Sequence, residues 1–318
     1  MFSNKNNLSL PLSVFMVHSD YDNVLDPNYI SATSLLQPLK SIILSNTYKS
    51  KELDVIDLLA SSVGTASHDR LEKSFLHDNH IINLRKLGYS DSVISRVKIN
   101  PESIESDDIP IYLEKRTIKE LNGWKIGGKF DFVSDGIVRD LKTTKTYKWI
   151  KQDFEDYILQ GSIYRWLNQD IITANHMYID FIFTDWKKYE SDANPDYPRT
   201  PAISKKLSLM SIEDTENWLI NRLNSIEKYL DSPQDQLPIC NEKELWQDPP
   251  KYAYFKNPTG KRATKVYNSL SDANNKLIQD GNVGKVDTRL GKPTRCNYCL
   301  KSICTQAQEY IKQGLLEE

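Results

Sequence analysis

Apolar positions recur along this chain in two rhythms, one near the helical repeat and one strictly alternating, and the switch between them predicts the order of its elements. The stretch YISATSLLQPLKSIILSNTYKS has a mixed apolar run that Ser31 or Thr33 can cap as a helix. A helical region is predicted from about Asp54 to Asn83, with a turn around Ser61 to Gly64 and Gly64 at a tight approach. There His68 and Glu72 stand four apart and share one face. The proline-containing acidic passage from 100 to 110 predicts a loop. Alternation then takes over in IYLEKRTI from 111, WKIGGKFDFV from 124 and GIVRDLKTTK from 136, with turns at Leu121 to Gly123 and Ser134 to Gly136, the pattern of a meander. Helical spacing returns over about 151 to 168, where Tyr157, Gln160 and Tyr164 recur, and HMYIDFIFTDW from 176 predicts a buried strand. From Ser211 to Leu230 an amphipathic helix is predicted, with Trp218, Ile220, Leu223, Ile226 and Leu230 available for its apolar stripe.

Beyond Leu230 the pattern changes. Prolines appear, then Cys240, then a Lys/Arg-rich segment from Lys251 to Arg295 that ends at three more cysteines. The expected organisation is an N-terminal helical region over 1–50, a core over 51–230 and a basic, cysteine-rich C-terminal module over 231–318. With 39% hydrophobic and 26% charged residues, the 318-residue chain can bury a sizeable core and does not have the composition of a disordered protein. A net charge of −2 supplies no global attraction to nucleic acid, so any such attraction must be local. The N-terminal apolar stretch is short and interrupted, so neither a signal peptide nor a membrane partner is expected. Four cysteines, three of them crowded late in the chain, do not form a secreted disulfide framework, and a reducing cytoplasmic setting is expected.

The candidate chemistry lies in the alternating region. Across the VSDG turn, Asp131 and Asp140 can approach one another at a sheet edge, and Lys142, two residues on from Asp140, points to the same side. Two hard carboxylates can hold magnesium while water and a substrate phosphate complete its shell, and a nearby ammonium can stabilise charge developing on a phosphodiester. Ordinary turn and edge residues are the alternative reading of the same three positions.

With these residues in view, the chain resembles the RecB-like branch of the PD-(D/E)XK nuclease superfamily. The resemblance is carried by GTASHDRLE at 64–72, GKFD at 128–131, DLK at 140–142 and QGSIY at 160–164, in that order, and covers roughly residues 28 to 185. It implies an α/β, restriction-endonuclease-like core, a mixed central sheet flanked by helices. It also implies that His68, Asp131 and Asp140 bind metal, that Lys142 is catalytic with them, and that Gln160 and Tyr164 face DNA. Glu72 is a weaker metal candidate. Glu114 is expected either just behind the site or paired with Lys115 or Arg116.

The tail RCNYCLKSICTQ sets Cys296, Cys299 and Cys304 close together, with Cys240 a distant fourth. Four thiolates could hold tetrahedral zinc or an iron-sulfur cluster. Several relatives of the resembled branch carry a [4Fe-4S] cluster on one upstream cysteine and a later CxxC-x5-C group. Here the last spacing is four and Cys240 follows the core, so Zn2+ stays open; the segment is also similar to the C-terminal part of phage-encoded exonucleases. Aromatic residues Tyr252, Tyr254, Phe255 and Tyr267 lie among the late lysines and arginines, a composition suited to a single strand or frayed duplex end, with a solvated basic surface as the alternative reading.

The expected function is therefore a deoxyribonuclease dependent on Mg2+ or Mn2+, most simply an exonuclease acting on a free DNA end or single strand in recombination, repair or phage genome processing. In a phage-encoded case its setting would be the host cytoplasm. A recombination or helicase partner fits, because the chain has no GxxxxGK[ST] site of its own. The alternatives are a noncatalytic DNA- or partner-binding subunit and a structure-specific endonuclease.

Overall fold

A computed structural model describes residues 2–19, 24, 26–48 and 53–317. Two compact units divide the chain: residues 1–36 with 52–224, and residues 37–51 with 225–318. The boundary falls inside the helix Ile212–Tyr229.

The first unit is an α/β fold with mixed sheets flanked by helices. Its larger sheet has six strands in the order Ala202–Ser208, His176–Phe183, Ile137–Thr144, Phe132–Ser134, Ile109–Leu113 and Val97–Ile99. The 137–144 and 176–183 strands are parallel, as are 97–99 and 109–113, and the remaining neighbours are antiparallel. A second sheet has three strands, Tyr29–Ser31, Trp124–Lys129 and Arg116–Leu121. The helix Glu155–Leu167 makes the crossover between the parallel strands 137–144 and 176–183.

The predicted meander exists, but its first two strands are each cut in two. The run from Ile111 stops at Leu113 and resumes at Arg116, because Glu114 turns the backbone at φ 49°. The run from Trp124 stops at Lys129 and resumes at Phe132. Both cuts lie at one level: Leu113 pairs with Phe132, Arg116 pairs with Lys129, and the Glu114 N–H donates to the Asp131 carbonyl at 3.2 Å. The hairpin thus bends out of the larger sheet into the smaller one. Two-residue turns close its loops, Asn122-Gly123 at φ 49° and 79° and Asp135-Gly136 at φ 51° and 71°, the left-handed pair that matches strand twist.

The core lies between sheets and helices. Phe130, Ile163, Trp166, Met177, Ile179 and Phe181 are fully buried, each contributing about 1.5–3 kcal/mol if it were otherwise exposed. Gly161 lets the 155–167 helix lie directly on its sheet, since a Cβ there would collide with Met177 Sδ. Trp166 Nε1 donates to Glu216 Oε2 at 2.7 Å and ties that helix to Ile212–Tyr229.

Other expectations need correction. The helix Leu59–Lys73 runs unbroken through Ser61–Gly64, a Cβ on Gly64 would meet nothing within 4 Å, and the bend comes later, where His77 and Asp78 take φ 51° and 62°. The apolar stripe of the 212–229 helix centres on Leu219, Leu223 and Ile226, while Leu230 is exposed. Ser31 does cap a helix, Ala32–Leu35, by accepting from the Ser34 N–H at 3.1 Å.

In the second unit, strands Lys265–Tyr267, Lys251–Phe255 and Lys285–Arg289 form an antiparallel sheet packed by the helix Leu270–Gln279. A discrete C-terminal cysteine module of the kind expected is not evident; the late cysteines share this unit with the helix Leu39–Thr47. Among the described residues, no helix is long and apolar enough to cross a membrane.

Candidate active site

The corner where the hairpin leaves the larger sheet collects the acidic side chains. Glu114 and Asp131 sit at the paired chain breaks, and the 59–73 helix brings His68 onto them. Ligand atoms of His68, Glu114 and Asp131 all lie within 4.8 Å of one another, and this is the only such group of three His, Cys, Asp or Glu among the described residues. Asp131 Oδ2 lies 3.1 Å from His68 Nδ1 and accepts the Leu141 N–H at 2.9 Å. The hydrogen bond to Asp131 raises the His68 pKa even though burial opposes it. Burial raises the Glu114 carboxyl against the Lys129 ammonium, which stands 2.5 Å from Oε2. Lys129, from across the hairpin, is thus an ionic partner of Glu114.

Asp140 occupies a core position. In the 137–144 strand it alternates with buried Val138, opposite Ile179 of the neighbouring strand, and it is 1% exposed. Its Oδ2 forms an ion pair with Lys142 Nζ at 2.6 Å, whereas Oδ1 is buried with no hydrogen-bond partner. Burial pushes this carboxyl up to about 6 in spite of Lys142. For Lys142, burial works against the charge, and the carboxylates of Asp140 and Asp131 overcome it, so its pKa is raised. The Thr143 hydroxyl is a further buried group without a partner.

Gln160 and Tyr164 come from the 155–167 helix and are 8% and 4% exposed, with Gln160 Nε2 donating to Tyr164 Oη at 2.8 Å. Burial raises the Tyr164 phenol well above its usual range, so it remains neutral. Tyr157, one turn earlier, presents its ring 5.6 Å from Lys142 Nζ. Glu72 lies outside the three-residue group, and so does Asp140, whose expected place beside His68 and Asp131 is taken by Glu114. Glu114 is the residue that sequence reasoning undervalued. Its membership follows from the break in a strand that alternation predicted to be continuous.

The donor set fits a divalent cation. An imidazole and carboxylate oxygens suit magnesium or a first-row ion, and a buried carboxylate oxygen without a partner is what an added cation would satisfy.

The cysteine expectation is overturned. Cys240, Cys296, Cys299 and Cys304 are free thiols that line one apolar pocket together with Leu44 and Leu300. Nonetheless, no three of their sulfurs lie within 4.8 Å of one another, too far apart to share one tetrahedral zinc, so the cysteines are dispersed and are not gathered into the expected zinc or iron-sulfur cluster. Burial pushes the Cys240 thiol up to about 12 and the Cys296 thiol up to about 11, which keeps both protonated. The only potential metal site among the described residues is the His–Glu–Asp group.

No family model matches the chain, and no curated protein matches it. Among solved structures it is similar to SSO0001, with 16% identity and a TM-score of 0.39, over 70% of this chain and 84% of that one. It is also similar to a phage related exonuclease from Haemophilus somnus 129PT, with 12% identity and a TM-score of 0.33, over 64% of this chain and 93% of that one. These likenesses are distant, and the functional reading rests on the geometry of the corner itself.

Proposed function

We propose that the protein is a metal-dependent nuclease whose divalent ion is held by His68, Glu114 and Asp131, with Asp140 completing the site. The observation that carries this reading is the buried, partnerless Asp140 Oδ1 beside a converged imidazole–carboxylate group and a charged lysine. Lys142 offsets the charge of this carboxylate, but a buried oxygen left without a hydrogen bond still costs about 1–3 kcal/mol, and a further cation at that oxygen would offset the cost. DNA as the substrate, and exonuclease action at an end, follow from the resemblance in the motifs around His68, Asp131, Asp140 and Gln160.

Hydrolysis forms one P–O bond from water and breaks one P–O ester bond, so negative charge accumulates on the phosphoryl oxygens and the leaving oxygen. A divalent ion bound here supplies Lewis-acid polarisation and a more acidic bound water. Lys142, held protonated by Asp140 and Asp131, acts on the developing charge as a fixed cation rather than as a base. Asp131 is oriented from two sides, by the Leu141 N–H and by His68, so its carboxylate is held in place before substrate arrives. Buried Asp140 keeps the Lys142 ammonium at 2.6 Å and confines its motion.

The test is release of labelled nucleotides from linear DNA with Mg2+ or Mn2+, comparing the intact chain with Asp140→Ala and Lys142→Ala. Loss of at least about 100-fold in both variants is expected. Circular DNA should resist an exonuclease and yield to an endonuclease. No release by the folded, metal-supplied wild-type chain overturns the reading.

A further inference from the structure

The segment that follows the catalytic strand carries a feature the hydrolytic site does not use. From Leu141 to Gln152 the chain reads LKTTKTYKWIKQ, with lysines at every third position, Lys142, Lys145, Lys148 and Lys151, and no acidic residue. In a chain of net charge −2 this is a local cationic track. It begins at the corner: Lys142 Nζ and Lys148 Nζ both approach the ring of Tyr157, at 5.6 and 4.9 Å from its centroid. It continues along the helix Thr146–Lys151, where Lys151 Nζ lies 5.1 Å from the ring centroid of Tyr147, and Tyr147 is 54% exposed. Lys145 and Lys151 are also exposed.

This short helix is firmly rooted. Trp149 packs edge-on against Phe181 and Phe183, at centroid distances of 5.9 and 6.1 Å, and the Thr146 N–H donates to Asp185 Oδ1 at 2.7 Å. Lys205 adds a further cation beside the Trp149 ring at 5.4 Å. The acids that come next, Asp153, Glu155 and Asp156, cluster at the start of the 155–167 helix, two of them in its first turn, where they complement the helix dipole. A rigid exposed aromatic flanked by lysines offers a base a stacking face and its neighbouring phosphates a charge. A duplex keeps its bases stacked on one another and offers no such face at its sides.

We propose that the Lys145–Lys151 segment is a platform that holds a single nucleic-acid strand on its way to Lys142, with Tyr147 stacking a base and Lys148 and Lys151 contacting phosphates. The proposal deepens the nuclease reading above and rests on it for the destination of the strand. It is tested by fluorescence anisotropy of a labelled short oligothymidylate with the full chain in EDTA, beside a blunt duplex of equal length. Tyr147→Ala should weaken oligothymidylate binding about 5- to 100-fold, and Tyr147→Phe, which keeps the ring, should bind like wild type. The double variant Lys148→Ala/Lys151→Ala should reduce the salt slope of log K by about 1.4. Circular dichroism of each variant separates loss of the platform from loss of fold. Unchanged oligothymidylate binding in folded Tyr147→Ala overturns the proposal, as does an equal loss on the blunt duplex. Hydrolysis by the wild-type chain is scored separately on linear DNA. Tyr147-dependent binding without hydrolysis removes the nuclease reading and keeps the platform, whereas hydrolysis with Tyr147-independent binding removes the platform alone.

Discussion

The acidic corner of the first unit and the thiol pocket of the second each carry candidate metal ligands, yet they end in different chemical states. At the corner, His68 and Glu114 arrive from 63 and 17 positions upstream of Asp131, counted along the chain, and their ligand atoms meet within 4.8 Å. In the pocket, Cys296, Cys299 and Cys304 start as near neighbours, and no three thiols meet at that distance. The corner also holds a charge that burial disfavours, with a carboxylate oxygen left without a partner, whereas the pocket keeps its half-buried Cys240 and buried Cys296 neutral. Closeness along the chain is thus a poor guide to a ligand set. A site built where two chain breaks coincide is better defined than one built from a tight sequence cluster, because the sheet registers fix where each backbone turns.

The largest expected effect sharpens this contrast. Asp140→Ala, besides abolishing hydrolysis, should destabilise the fold by about 3–5 kcal/mol, because it leaves the Lys142 ammonium without its carboxylate in a largely buried place. Replacing both charges, as Asp140→Leu with Lys142→Met, should recover that loss and can exceed wild-type stability by about 1–4 kcal/mol, with no hydrolysis. Urea unfolding of the three proteins decides it; a double variant no more stable than Asp140→Ala would show that the pair is not held at a stability cost. Next in size, Mn2+ should raise the melting temperature of the wild-type chain, and EDTA should reverse the rise. Asp131→Ala or Glu114→Ala should weaken Mn2+ binding at least about 10-fold by calorimetry. Equal Mn2+ affinity in all three proteins would place the ion elsewhere.

Gly161→Ala tests how closely the helix must lie on the sheet. The new methyl group would collide with Met177 Sδ, so a loss of about 1–3 kcal/mol is expected by thermal or urea unfolding, along with weaker hydrolysis as the helix bearing Tyr157 and Tyr164 shifts. The smallest effect belongs to the pocket. Elemental analysis of the purified chain should find no stoichiometric zinc or iron, and Cys299→Ala should change stability by less than about 1 kcal/mol and leave hydrolysis intact. Stoichiometric iron or zinc lost in Cys299→Ala would erase the contrast between the two regions.

Much of the corner was readable in one dimension. The alternation from Ile137 to Thr144 put Asp140 and Lys142 on one side of a strand, the Asn-Gly and Asp-Gly turns marked the hairpin, and the helical repeat placed Tyr157, Gln160 and Tyr164 on one helix. What escaped was the double break at Glu114 and Asp131. Alternation has the same period on either side of a bend, so IYLEKRTI looks continuous even though Glu114 turns the chain into another sheet. The misplaced bend near Gly64 has a related cause: a glycine in a helix is tolerated where its neighbours propagate the hydrogen bonds, and the real break at His77 and Asp78 carries no glycine.

The sequence by itself determined the period of most elements, the turn chemistry, and the placing of Asp140 and Lys142 on one side of a strand, since these depend on neighbours within a few positions. Only the tertiary structure decided which acids share a centre, because Glu114, His68 and Asp131 meet through sheet register and a helix packed across it. It also decided that the cysteines do not converge as metal ligands, since their sulfur separations depend on how the helix Leu39–Thr47 and the last segments of the chain fold together, and spacing along the chain carries no record of that.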